Sequence, residues 1–177
     1  MLRRLRQEPE LADWFRSFRG PISARPRGAG QAVAVKIVVG VDGSACSTRA
    51  VEWCAEYAPA LKADVVVVHS VDIPVSVSSE FGIGPIGMPF PPELDRDELR
   101  RVIEREWCAP LTDAKLAFRV ELTDGSPAPA IIAIAQQEAA DLVVVGRRGR
   151  GGFAELLLGS TSHHLSHHLG RPLLIVS

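Results

Sequence analysis

Four short runs of β-branched residues constrain this chain more than any other feature: residues 35–41 (VKIVVGV), 64–71 (DVVVVHSV), 141–145 (DLVVV) and 172–177 (PLLIVS). Valine and isoleucine suit a packed, pleated surface, and runs with little polar alternation fill strands buried on both faces. Helical spacing separates these runs. Ala50, Val51, Cys54, Ala58 and Leu61 recur at the period of one helix face, behind Ser44 or Ser47 as a capping serine. Leu94, Leu99, Val102, Ile103 and Trp107 mark a second helix with a charged outer face. Pro127 opens a third, very apolar helix through Gln137, and residues 159–169 form a fourth. Residues 116–122 (LAFRVEL) alternate enough to make a strand nearer an edge. Strands and helices in alternation predict an open parallel sheet of five strands with helices on both faces.

The 177 residues suffice for one such domain and a tail. Apolar residues make up 46% and charged residues 23%, a balance that predicts a packed core. No apolar run approaches the roughly 18 residues of a membrane span. Arg3, Arg4 and Arg6 are followed by Glu8, Glu10, Asp13, Trp14 and Phe15, where a secretory signal needs continuous apolar chain. A cytoplasmic protein is expected. Three cysteines, Cys46, Cys54 and Cys108, are an odd number without CxxC, so they imply neither a disulfide framework nor a zinc site.

The net charge of −1 hides an asymmetry. Residues 1–30 hold seven arginines against three acids, which leaves the remainder at −5. An acidic body argues against nucleic-acid binding. Residues 1–34 read as a basic, solvated extension. Trp14, Phe15 and Phe18 suit a short amphipathic helix there, and Gly20-Pro21 and residues 25–28 read as linker. The domain proper spans residues 35–177.

Ligands of open parallel sheets sit beyond the carboxyl ends of the strands, where strand order reverses. The loops after the first and fourth runs fit that role, and the chemistry is plainest in the loop after the fourth. That loop reads Gly146-Arg147-Arg148-Gly149-Arg150-Gly151-Gly152, and Gly159-Ser160-Thr161-Ser162 follows at the start of the fourth helix. Gly149, Gly151 and Gly152 are suited to positive φ and a nest of inward N–H groups. The helix start adds free N–H donors, the positive end of its dipole and hydroxyls. Arg147, Arg148 and Arg150 supply charge for a phosphate chain.

Gly146, two residues, Gly149, nine residues and Gly159-Ser160 resemble the G-x2-G-x9-G-[S/T] pattern of ATP-binding universal stress proteins. Val39-Gly40-Val41-Asp42-Gly43-Ser44, Val68-His69, Asp124-Gly125-Ser126-Pro127 and the terminal Pro172-Leu173-Leu174-Ile175-Val176 fit the same family in order, over residues 35–177. The resemblance implies strand order 3-2-1-4-5, the adenine-nucleotide alpha-hydrolase-like fold, and bound ATP, with Mg as its possible companion. It implies a nucleotide site made by Val41, Asp42, Ser70, Val145, Gly146, Arg148, Gly149, Gly159, Ser160 and Thr161. In that site Asp42 would hydrogen-bond the ribose or the adenine edge, with Val41 and Ser70 flanking the ring. Gly146 and Gly149 would admit the ribose and phosphates, and Gly159, Ser160 and Thr161 would hold the phosphate tail. Ser70 stands where relatives often carry a branched apolar residue, and Arg147 where a small polar one is common. A homodimer through the C-terminal strand is implied as well.

Other signals lead away from catalysis. Residues 82–87 match G-x-G-x-x-G by letter, but no strand precedes them and Pro85, Pro89, Pro91 and Pro92 prevent a following helix. No G-x4-G-K-[S/T] occurs, and Ser44 and Ser160 have no elbow motif or His–acid partner. His163, His164, His167 and His168 form two i, i+4 pairs, but no carboxylate or thiol accompanies them and no metal is assigned. The expected function is a nucleotide-dependent regulatory module of a stress response. A slow ATPase and a nucleotide-free interaction module are the alternatives.

Overall fold

The computed structural model describes residues 35–71, 95–150 and 157–177. The extension 1–34, the loop before residue 95 and Gly151 with Gly152 lie outside the described residues. The elements are β1 (Val35–Gly40), α1 (Ala45–Leu61), β2 (Ala63–Val71), α2 (Arg96–Val102), a π-helical turn (Ile103–Trp107), α3 (Ala109–Asp113), β3 (Phe118–Asp124), α4 (Pro127–Gln137), β4 (Leu142–Gly146), α5 (Ser160–His168) and β5 (Leu173–Val176). The five strands form one sheet in the order β3-β2-β1-β4-β5, and every pairing is parallel. The sequence-based strand order therefore stands.

The period-2 alternation of a strand explains why the central runs are apolar throughout. Ile37, Val39, Val65 and Val67 point to one face, where Ala50, Val51 and Cys54 of α1 cover them together with Ile103, Cys108 and Leu111. Val38, Val66, Val68 and Val143 point to the other, against Ala128, Ile131 and Ala135 of α4 and Leu165 of α5. Both faces are dry. β3 lies at an edge, in keeping with its alternating sequence.

Two boundaries differ from the sequence-based reading. The single helix expected over residues 94–107 ends as α2 at Val102, widens into the π turn, and restarts as α3. The Cys108 N–H reaches back five residues to the Ile103 carbonyl at 2.9 Å, and Pro110 enters the new helix in its first turn, where no N–H is needed. The third strand runs Phe118–Asp124 and not 116–122, because the chain leaves α3 through Lys115 at φ 55° and pairs with β2 only from Phe118.

Candidate functional site

β1 pairs with β2 on one side and β4 on the other, so strand order reverses between β1 and β4. The ends of these two strands open into a cleft enclosing about 90 Å³, with Gly40, Val41, Val145 and Gly146 at its base. Eight of the ten residues named from the sequence line it: Val41, Asp42, Ser70, Val145, Gly146, Arg148, Gly149 and Thr161. Gly159 and Ser160 are not among its lining residues, although they begin the helix that supplies Thr161.

The turn out of β1 is built around Asp42. The Val41 N–H donates to the Val68 carbonyl at 2.9 Å, which extends the ladder one residue beyond β1. The chain then turns through Gly43 at φ +74°, a conformation that glycine adopts without cost. A side chain at Gly43 would also meet the Trp107 ring, at 2.7 Å. The Asp42 carboxylate accepts the Ser44 N–H at 3.0 Å through Oδ1 and the Arg150 N–H at 3.1 Å through Oδ2. Burial opposes ionisation of Asp42, but hydrogen bonds from Ser44, Ser47 and the Arg150 backbone outweigh it and hold the carboxyl below its ordinary range. Asp42 is therefore an ionised acceptor at the cleft.

Ser44 is the capping serine. Its Oγ accepts the Ser47 N–H at 3.2 Å and its hydroxyl donates to the Arg148 carbonyl at 3.2 Å. The start of α1 and the loop after β4 are thus sewn together. Gly146 packs so closely on α1 that a Cβ there would lie 2.6 Å from the Cys46 carbonyl carbon and 2.8 Å from the Ser47 nitrogen. A Cβ on Gly149 would run into Asp42 Oδ2. Both glycines are required by contacts within the protein itself. Gly149 does not take the positive φ expected of it; among the described residues of this region Gly43 does. Close packing on Asp42, and not a left-handed turn, is what demands glycine at 149.

The start of α5 is fixed through Arg147. Its N–H donates to the Val176 carbonyl at 2.7 Å, and its own carbonyl accepts the Gly159 N–H at 2.9 Å and the Ser162 hydroxyl at 2.8 Å. Ser162 is buried and its single hydroxyl proton is shared with the Gly159 carbonyl, so it is not a donor to a ligand as the sequence suggested. The Arg147 Nε is buried and has no partner among the described residues. The first N–H groups of α5 have no acceptor within the helix, and they end beside the loop after β4.

Behind the cleft, the His69 Nδ1 lies 2.8 Å from the Val41 carbonyl. A carbonyl only accepts, so Nδ1 carries the proton. The His69 ring meets Trp107 edge-on at 5.1 Å, and the Arg150 guanidinium stands 5.0 Å from the centre of the Trp107 ring. The Ser70 hydroxyl donates to the Gly125 carbonyl. Five cleft residues were not named as ligand contacts from the sequence: Gly40, Ser47, Val68, Pro127 and Ile131. Pro127 and Ile131 are four apart on α4 and share a face, and that spacing is the signal that could have found them.

A parallel sheet with this strand order and a cleft at its reversal point defines an α/β protein of the adenine-nucleotide alpha-hydrolase-like class. Residues 35–177 match the family model described as Universal stress protein family, and the chain belongs to that family. It is 30% identical over 148 residues to universal stress protein YxiE of Bacillus subtilis, covering 80% of this chain and 97% of that one. It is 33% identical over 147 residues to universal stress protein Rv2005c of Mycobacterium tuberculosis, covering 79% of this chain but only 47% of that protein, about half its length. Among solved structures, a universal stress protein in complex with cAMP superposes with a TM-score of 0.57 at 26% identity, over 81% of this chain and 96% of the other. A universal stress protein from Archaeoglobus fulgidus in complex with dAMP gives a TM-score of 0.57 at 21% identity, over 81% and 98%, a likeness of fold. No helix among the described residues is long and apolar enough to cross a membrane.

Proposed function

We propose that the chain binds an adenine nucleotide in the cleft between β1 and β4, with ATP as its ligand, alone or with Mg, and acts as a nucleotide-dependent regulatory module in the cytoplasm. The observation that carries this is the pairing of an ionised Asp42 with apolar walls at the reversal point of the sheet. Val41, Val68, Val145 and Ile131 are all buried and offer flat apolar contact to a base. The sugar and phosphates would extend along Gly146–Gly149 toward the start of α5. Asp42 accepts from a ribose hydroxyl or an exocyclic amine. Thr161 and the N–H groups of Ser160 and Thr161 meet the phosphates, with Gly159 as the turn into them and Arg148 supplying positive charge. Ser70 lies on the base side. The cAMP and dAMP bound in those two universal stress protein structures are in keeping with a site for adenine nucleotides in this fold.

The family and the exposed outer edge of β5 support a homodimer through Leu173–Val176, side chains that are only half buried in the single chain. The decisive experiment is to denature the purified protein, chromatograph the supernatant, and measure thermal shifts with ATP, ADP, AMP and GTP, each with and without Mg. Co-purified adenine nucleotide or a shift with ATP exceeding that with GTP supports the proposal. Neither a released nucleotide nor any shift would overturn it. Sedimentation velocity over a range of concentrations reads the dimer, and a monomer throughout would remove that part alone.

A further inference from the structure

Helix α5 carries four of the five histidines of the chain, His163, His164, His167 and His168, and all four are exposed. Residues four apart on a helix lie one above the other. The ring centroids of His163 and His167 are 4.8 Å apart, and those of His164 and His168 are 4.5 Å apart. The pairs adjoin, with His167 and His168 at 6.3 Å. Among the described residues no hydrogen bond engages any of the four rings; the Ser166 hydroxyl donates to the backbone carbonyl of His163, not to its ring. Ser162, Leu165 and Leu169 make the face that enters the core, so the histidines have no packing role there. Exposed neutral imidazoles are the side chains best suited to divalent ions of the zinc, nickel and copper group.

We propose that this outer face of α5 binds a borderline divalent transition cation through two imidazole clamps, His163 with His167 and His164 with His168. The sequence assigned no metal here for want of a third ligand type, and the juxtaposition of the rings is what changes the reading. Each clamp supplies two nitrogens and water completes the coordination. Among the described residues no group of three or more His, Cys, Asp or Glu side chains is placed to hold an ion. The sites are therefore open, and weaker than closed structural zinc sites with four protein ligands. Each clamp exists only while α5 is helical, so the ion stabilises the folded chain by linkage. The two clamps lie outside the cleft, and their occupancy does not depend on a nucleotide.

The test is a titration of the metal-free full chain with Zn2+, followed by imidazole 15N chemical shifts and by the thermal midpoint. The ring nitrogens of the four α5 histidines should move. Those of His69, whose Nδ1 already donates to Val41, should stay. The midpoint should rise with zinc. The variant H164Q/H168Q should lose half of the bound zinc, and H163Q/H164Q/H167Q/H168Q should bind at least about tenfold more weakly. Glutamine keeps the helix propensity of these exposed positions, and an unchanged midpoint in chelator confirms that the variants fold. Zinc bound equally well by the fourfold variant, or ring shifts absent at millimolar zinc, would overturn the proposal. The shifts in the unmutated chain decide the question even if a variant fails to fold.

Discussion

The backbone N–H of Arg150 donates to the Asp42 carboxylate at 3.1 Å, which ties the loop after β4 to the end of β1 through the acidic group that faces the cleft. With the Ser44 N–H on its other oxygen, Asp42 organises both walls before any ligand arrives. Asp42→Asn keeps one acceptor but turns an amide NH2 toward one of the two N–H donors. A loss of roughly 1–3 kcal/mol is expected, the cost of a partly buried donor left unpaired. Urea denaturation without nucleotide measures it. Weakened nucleotide binding in this variant has to be read against that loss, since stability equal to that of the unmutated chain would mean that Asp42 serves a ligand alone.

Two glycines of the same loop separate packing from ligand contact. At Gly146 a methyl group would sit 2.6 Å from the Cys46 backbone, which cannot yield without displacing the start of α1. At Gly159 the nearest atom to such a methyl is the Arg148 Cα at 3.3 Å, a clash of a few tenths of an ångström. Gly146→Ala should therefore cost about 1–3 kcal/mol, as overpacking does, and Gly159→Ala well under half as much. Chemical denaturation of both variants checks the order, and a reversed order would contradict the packing described for Gly146.

The contrast between these glycines shows how far the sequence could be read. Residues 35–41 and 64–71 announced buried parallel strands because Val and Ile on both faces leave no other solution. The loop after β4 was legible as a candidate site because its glycines and the helix start that follows suit a phosphate chain. What the sequence hid was tertiary. Nothing local to Gly146 or Gly149 says that α1 and Asp42 occupy the space of the missing side chains. Nothing near Ile103 marks a π turn, although Pro110 signals that a helix begins just before it. Ser162 read as a ligand donor because its burial against Arg147 comes from chain more than a dozen residues away.

Glu138, just after α4, joins three elements. It accepts from Lys36 Nζ on β1 at 2.7 Å and from Arg119 Nη2 on β3 at 2.7 Å. Hydrogen bonds from Lys36 and then Arg119 bring its carboxyl from 4.5 down to about 2. Because the folded value is the lower one, the stabilisation is fully present above the unfolded value and disappears as pH falls from there toward about 2. Solvent around the pair reduces the contribution to about 1 kcal/mol. Glu138→Gln should lower stability at pH 7 by that amount and flatten its decline between pH 5 and about 2. Denaturation curves across this range test it, and parallel curves for the two proteins would show that the bridge contributes nothing.

Cysteine reactivity should report the core face beneath α1 and α3 directly. Cys54 on α1 and Cys108 at the head of α3 are both fully buried. Burial first, and then the neighbouring Cys108, pushes the Cys54 thiol up to about 12. Burial and then Glu104 push Cys108 to about 12 as well. At pH 8 roughly one such thiol in ten thousand is ionised, and only the thiolate attacks a disulfide reagent. Cys46 is half-buried in the first turn of α1, with its Sγ accepting from Arg49 Nη2 at 3.1 Å. An aromatic disulfide reagent should therefore label Cys46 in the native protein and reach Cys54 and Cys108 only as the chain unfolds. Those two should appear together, because α1 and α3 close over the same sheet face. Release of all three thiols at one rate in the absence of denaturant would mean that this face opens far more readily than its packing implies.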